Sequence, residues 1–194
     1  MNKEEEKKEK ESSNVVTEKL LSSRSIVISG EINQALAERV IKELLILQEM
    51  GNEPIKIYIN SQGGHVEAGD TIHDMIKFIK APVIIIGTGW VASAGITVFL
   101  GAQKENRYSL PNTRYMIHQP LGGVNGQATD IGIEAKEILR VRKRINGIIS
   151  KATGQALEKV EKDTERNYWL NAEEAVEYGI VNKIISKYDE LENL

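Results

Sequence analysis

The chain has 194 residues, 41% of them hydrophobic, enough for one sizeable core. A net charge of −3 argues against nucleic acid as the main partner. The absence of cysteine excludes disulfides and a thiol nucleophile, and agrees with a cytoplasmic protein.

Residues 1–16, MNKEEEKKEKESSNVV, open the chain, and nine of the first eleven are Lys or Glu. They read as a solvated, disordered tail without the apolar stretch of a signal peptide. Residues 17–194 read as a single domain. After Asn33, a plausible N-cap, Ala37, Val40, Ile41, Leu44 and Leu45 recur at helical spacing, and Gly51 ends that helix. The alternating strand Ile55–Ile59 follows. Asn60–His65, NSQGGH, then reads as a loop, where Gly63 and Gly64 either turn backbone N–H groups toward an anion or simply make a turn. A helix is predicted from Glu67 to Ile79, stopped before Pro82. Its start, His65–Asp74, is rich in metal-ligand residue types but lacks HExxH spacing, so no metal is expected.

Val83–Ile86 predicts a buried strand, and Gly87–Gly95, GTGWVASAG, a glycine turn into a buried helix with Ser93 at its start. Ala81–Ala102 carries no charge for 22 residues, long enough for a membrane span. Pro82, Gly87, Gly89, Ser93, Gly95 and Thr97 interrupt it, which favours strand, turn and helix. Strand Arg114–Ile117 leads to His118 and a Pro/Gly loop. A long helix is predicted over Thr129–Ser150. Its Arg140, Arg142, Lys143 and Arg144 share a mixed charged face with Asp130, Glu134 and Glu137. Asn171 and Glu174 form a capping box for a short helix ending at Gly179, and Ile180–Ile185 reads as the last strand. Strands alternating with helices predict an α/β fold with a largely parallel sheet.

Ser93 stands where α/β enzymes hold a nucleophile, at a strand-to-helix turn with small neighbours Ala92, Ala94 and Gly95. The alternative is a small residue packed in a core. A serine nucleophile needs a base and an oxyanion hole. The histidines are His65, His73 and His118; His118 ends a short apolar strand, where sites are built, the alternative being a histidine merely satisfied at a strand end. No GxxxxGK[ST] motif occurs, so ATP is not expected as a cofactor of this chain.

The motifs NSQGGH (60–65), GWVASAGI (89–96), MIHQPLGG (116–123), GQATDI (126–131), DTERN (163–167) and LNAEEAVEYGIV (170–181) resemble the ClpP family in order and spacing. That family is the proteolytic subunit of the ATP-dependent Clp protease, and the resemblance runs from about Leu20 to about Ser186. It implies the ClpP/crotonase-like fold of repeated β-β-α units with a protruding strand-helix handle. It makes Ser93 the nucleophile, His118 the general base, and the N–H groups of Gly64 and Ala94 the oxyanion hole. The third triad position falls on Asn167. Glu165 and Arg166 fall where family members pair charges between rings.

The resemblance further implies two stacked seven-membered rings, joined through the helix after Gly126 and its preceding strand. It implies a Clp-type AAA+ ATPase that spends the ATP and delivers unfolded polypeptides. No cofactor, nucleic acid or membrane is implied for this chain.

Asn167 departs from the family's usual Asp. A carboxamide accepts the histidine Nδ1–H but carries no charge to stabilise an imidazolium, so low intrinsic activity is expected. Asp163, four residues earlier, would share a helical face with Asn167 if the stretch were helical, or else pair with a neighbour such as Arg166. Gln62 replaces the usual Pro, which would loosen the backbone beside the oxyanion hole. Ala94 replaces a common Met but keeps its N–H. The charged N-terminus departs too, which puts its family role at the axial entrance in doubt. A second reading follows from Asn167: a weakly active or structural subunit in mixed rings with a fully active ClpP paralogue. A crotonase-like acyl-CoA enzyme would share the fold but need an acid/base pair of another kind.

Overall fold

The computed structural model describes residues 15–192; most of the charged segment read at 1–16 lies outside them. A helix, α1, covers 15–22. Then follow β1 Ser25–Ile32, α2 Gln34–Met50, β2 Ile55–Gly64, α3 Val66–Phe78, β3 Val83–Ala92 and α4 Ala94–Phe99. The second half holds β4 Arg107–Ser109, β5 Arg114–Ile117, α5 Ala128–Thr153, α6 Leu157–Asp163, β6 Tyr168–Leu170, α7 Ala172–Tyr178, β7 Lys183–Ile184 and α8 Asp189–Glu192. The architecture is α/β, with parallel strands in the order β1-β2-β3-β4-β7.

The apolar strands form the middle of the sheet. Ile28, Ile57, Ile59 and Ile85 are fully buried, and α2, packed against β1 and α3, adds Ala37, Val40, Leu44 and Leu47 to the same core. Those four recur every three or four residues, so one helix stripe faces the sheet. Asn33 caps α2 through its Oδ1, which accepts from the Leu36 N–H at 2.9 Å. The Asn171–Glu174 capping box forms as read, and Gly179 ends α7 at φ +92°.

β3 decides where the site lies. The predicted turn at Gly87–Gly89 is instead a continuation of the strand. Through Gly87 the strand pairs with β4, and from Trp90 it pairs with β5. Gly89 sits at this change of neighbour with φ +63°, and a Cβ there would lie 2.6 Å from Asn60 Oδ1. That oxygen accepts from the Trp90 N–H at 3.3 Å. The glycines therefore bend a strand between two partners rather than reverse the chain. β5 in turn pairs antiparallel with β6.

Other elements differ from the sequence reading for identifiable reasons. β2 runs on through Gly63 and Gly64, which pair with Glu31 and Ile32, so Asn60–Gly64 is strand rather than loop and His65 caps α3. β1 was not predicted, because Ser29 and Gly30 interrupt its apolar alternation. β4 and β6 have three residues each, too few for a period to show. The last strand shrinks to Lys183–Ile184. No strand of the described residues pairs with 118–127, so the strand expected before the long helix does not form among them.

α5 is one residue longer at its start and three at its end than read, and Gly154 closes it in the left-handed region at φ +80°. Only its second half is buried, at Ile145, Asn146, Ile149 and Thr153, so the first half projects from the core as a handle. Arg140 pairs with Glu137 at 3.2 Å within the charged face, whereas Arg144 pairs with Asp70 on α3. Ala81–Ala102 divides between β3 and α4, and no helix among the described residues is long and apolar enough to cross a membrane.

Candidate active site

Ser93 is the hinge between β3 and α4. Its backbone adopts φ +55°, ψ −122°, a costly conformation for a residue with a Cβ. Three contacts hold it there. The Ser93 N–H donates to the Met116 C=O at 2.9 Å, and the Ile96 N–H donates to the Ser93 C=O at 2.9 Å. Gly63 packs against it so closely that a Cβ at 63 would lie 2.6 Å from Ser93 Cβ and 3.0 Å from Ala94 N. The result places the hydroxyl at the mouth of a narrow slot lined by Val66, Ile96, Ile117, His118, Ile145 and Ile149.

His118 follows β5, the strand hydrogen-bonded to the end of β3, so strand pairing brings it to Ser93. Its Nε2 lies 2.7 Å from Ser93 Oγ, and its Nδ1 lies 3.1 Å from Asn167 Oδ1. With Asn167 accepting, Nδ1 carries the proton and Nε2 accepts from the serine hydroxyl. Burial holds the imidazole below the ordinary histidine pKa, while the Asn167 hydrogen bond pulls the other way.

Asn167 lies outside α6, which ends at Asp163, so the two do not share a helical face. Asp163 is committed elsewhere: it pairs with Lys159 at 2.6 Å rather than with Arg166, and accepts from the Tyr178 hydroxyl at 2.9 Å. Asn167 is positioned by the chain on either side. Upstream, the Gln119 N–H donates to the Thr164 C=O at 2.6 Å and Gln119 Nε2 to the Glu165 C=O at 2.8 Å. Buried Thr164 donates to Asn146 Oδ1 on α5 at 3.0 Å. Downstream, Trp169 stacks on Trp90 with ring centroids 6.3 Å apart, and the Arg114 guanidinium lies 4.3 Å from its ring. Sequence reasoning missed Gln119, Thr164 and Asn146, since their contacts are far apart in the chain.

The segments carrying Gly64 and Ala94 meet where Gly63 touches Ser93 and Ala94. β2 carries an extra residue here, between the pairs Ser29–Asn60 and Glu31–Gly63. Ser61 Oγ donates to the Gly30 C=O at 2.5 Å and accepts from the Gly63 N–H at 3.0 Å. The Gln62 carboxamide, oriented to satisfy both groups, donates to the Gly30 C=O at 3.3 Å and accepts from the Glu31 N–H at 3.2 Å. Gln62 thus laces the bulge to β1 instead of loosening it. Glu165 and Arg166 are exposed beside Asn167. His65 lies 3.3 Å from Glu67, and His73 is buried with Nδ1 2.7 Å from the Thr97 carbonyl. Neither joins Ser93, and no group of three or more potential metal ligands occurs among the described residues.

Residues 7–188 match the Clp protease family. The chain belongs to that family. It is 56% identical over 167 residues to ATP-dependent Clp protease proteolytic subunit 3 of Rhizobium etli, covering 86% of each chain. It is 54% identical over 175 residues to proteolytic subunit 2 of Gluconobacter oxydans, covering 89% of this chain and 78% of that one. Solved structures of ClpP1 from Listeria monocytogenes superpose with a TM-score of 0.83, and those of an Asn-to-Asp mutant of it with 0.85. Each shares 62% identity and covers 91% of this chain and 99% of its own. The α/β fold with its parallel sheet is the fold of these structures, and the chain is a serine-type proteolytic subunit of Clp protease.

Proposed function

We propose that Ser93, His118 and Asn167 are the catalytic triad of this Clp protease subunit. The observation that carries the reading is the continuous chain of contacts from Ser93 Oγ through the imidazole to Asn167 Oδ1. Ser93 Oγ attacks the scissile carbonyl as its proton passes to His118 Nε2. The carbonyl oxygen takes up negative charge against the N–H groups of Gly64 and Ala94. The imidazolium then protonates the leaving amine, and water releases the acyl-enzyme by the reverse route. An extended peptide fits the cleft of about 400 Å³ beside Gly64, bounded by Val66, Pro120, Leu121, Ile138 and Val141.

Asn167 supplies direction but no charge, so intrinsic activity is low. This favours a second role beside the first, as a weakly active or structural subunit in mixed rings with a paralogue bearing a complete triad. The peptidase rate of this chain alone, and after mixing with such a paralogue, separates the two. Activity that appears only on mixing, and that survives Ser93→Ala here, assigns the chain a structural role. The substrates are unfolded polypeptides delivered by a Clp-type AAA+ ATPase, which supplies the ATP hydrolysis.

Assembly is into two stacked seven-membered rings through the α5 handle and the unpaired segment before it, with Glu165 and Arg166 coupling the rings to the triad. Supporting this, Leu121, Ile133 and Leu139 are 87%, 59% and 62% exposed on that region. Light scattering at micromolar concentration should find a large particle. A stable species near the 21.6 kDa chain mass would contradict it.

The pH profile follows from the histidine. His118 acts as base only when neutral, and burial lowers its pKa below the ordinary value. The acid limb of kcat/KM is therefore expected below about pH 6.5, the usual histidine value. Asn167→Asp adds a carboxylate that favours the charged imidazole, so the limb should move to higher pH. An unmoved limb would show that position 167 does not face the titrating base.

A further inference from the structure

Asn-Gly occurs twice in the chain, at Asn125–Gly126 and Asn146–Gly147. Glycine has no Cβ to keep its nitrogen away from the preceding side chain, and its backbone reaches the conformations that ring closure needs. The glycine nitrogen can therefore attack the asparagine carboxamide carbon within the same chain. The two sites share this chemistry and differ in their surroundings.

Asn146 is 1% exposed in the second half of α5. Its Oδ1 accepts from Thr164 Oγ1 at 3.0 Å, and the Gly147 amide belongs to the helical ladder. Neither group can turn toward the other without opening α5. Asn125 lies in 118–127, which forms neither helix nor strand. Asn125 and Gly126 are both exposed in the single chain. Among the described residues, neither the Asn125 carboxamide nor the Gly126 N–H has a hydrogen-bond partner. The peptide also has room to rotate, because a Cβ built on Gly126 would meet nothing nearer than Asp130 Cβ at 3.9 Å.

We propose that Asn125–Gly126 is a self-modification site of the unassembled chain, where Asn125 deamidates without an enzyme. Solvent base takes the Gly126 N–H proton, and the nitrogen forms a bond to Asn125 Cγ. The Cγ–Nδ2 bond breaks and the amide nitrogen leaves as ammonia, which closes a succinimide ring. Water then adds to one of the two ring carbonyls. Opening on one side leaves an aspartyl residue. Opening on the other leaves an isoaspartyl residue, whose main chain runs through the former side-chain carbon. Either product adds a negative charge just before α5, and the isoaspartyl product also lengthens the backbone by one atom. The rings proposed above meet through this segment, so the consequence for assembly rests on that reading, while the chemistry does not. Assembled chains hold the segment fixed and are protected. A chain left unassembled ages at Asn125 and loses its place in the particle.

The test incubates the full chain in mildly alkaline buffer at physiological temperature, once concentrated and once diluted to the unassembled species. A synthetic peptide with the sequence of 119–131 is incubated beside it. Each sample is separated by size and mapped by mass spectrometry, with enzymatic methylation of isoaspartyl carboxylates as the second readout. In the diluted sample the peptide carrying Asn125 should gain about one dalton and accept methyl groups, at least about tenfold faster than the peptide carrying Asn146. In the concentrated sample the modified chains should concentrate in the smaller species. Asn125→Gln, which would have to close a larger ring, should keep the fold and remove the signal. An Asn125 that stays intact in the diluted chain while the synthetic peptide converts would overturn the proposal. So would conversion at Asn146 as fast as at Asn125, or equal modification of the large and small species. Conversion at Asn125 with no large particle at any concentration would instead overturn the ring assembly and leave the site standing.

Discussion

Asn167→Asp is expected to raise the peptidase rate of the assembled protein, by as much as a few powers of ten. In a trypsin-type triad the reverse change, Asp to Asn, lowers kcat about 10⁴-fold, or on the order of 5 kcal/mol in barrier. The geometry needed for the gain is present. Asn167 Oδ1 lies 3.1 Å from His118 Nδ1, and an aspartate of nearly the same shape would place a carboxylate oxygen there. The carboxylate would hold the productive tautomer and stabilise the imidazolium during attack. No rearrangement of Asp163 is required, because its bonds to Lys159 and Tyr178 lie on the other side of the Thr164 turn. A gain well short of this range would mean that assembly or order around the triad also limits the rate. No gain in correctly assembled rings would remove Asn167 from the triad.

Ser93→Ala is expected to abolish the intrinsic peptidase activity while leaving the fold intact. The change removes one oxygen whose role in this site is its contact with His118 Nε2 at 2.7 Å. The backbone bonds that hold the strained turn, to Met116 and Ile96, do not use the side chain. Alanine keeps the Cβ that already packs on Gly63, so the φ +55° conformation meets no new clash. Hydrolysis of a small peptide, with thermal unfolding as the control for folding, checks both halves. Activity retained at the wild-type rate would move the chemistry to another residue.

Much of the candidate site is legible in the sequence, and the residues show why. Ser93 and His118 each lie at the end of an apolar run, and strand pairing brings such ends together. Asn33, Asn171 and Gly179 act within four residues of themselves, so local pattern suffices to place them. The misreadings arose where distant partners decide. Gly87–Gly89 reads as a turn in isolation, but β4 and β5 arriving in succession keep it a strand. Gln62 reads as a loosened position until β1 supplies the Gly30 and Glu31 groups that it binds. Whether Asp163 and Asn167 share a helical face depends on where the helix ends, and Thr164, tied to Asn146 on α5, ends it before Asn167. Arg107 carried no signal, since its burial depends on α5 closing over it.

The claim that Ser93 is activated by a histidine that Asn167 orients is tested most directly by labelling with a fluorophosphonate, followed by peptide mass spectrometry. Only an activated serine reacts. The account predicts an adduct on Ser93, formed slowly in the assembled wild-type protein and much faster in Asn167→Asp. Absence of an adduct at Ser93 in both proteins, or equal labelling rates in the two, would contradict it.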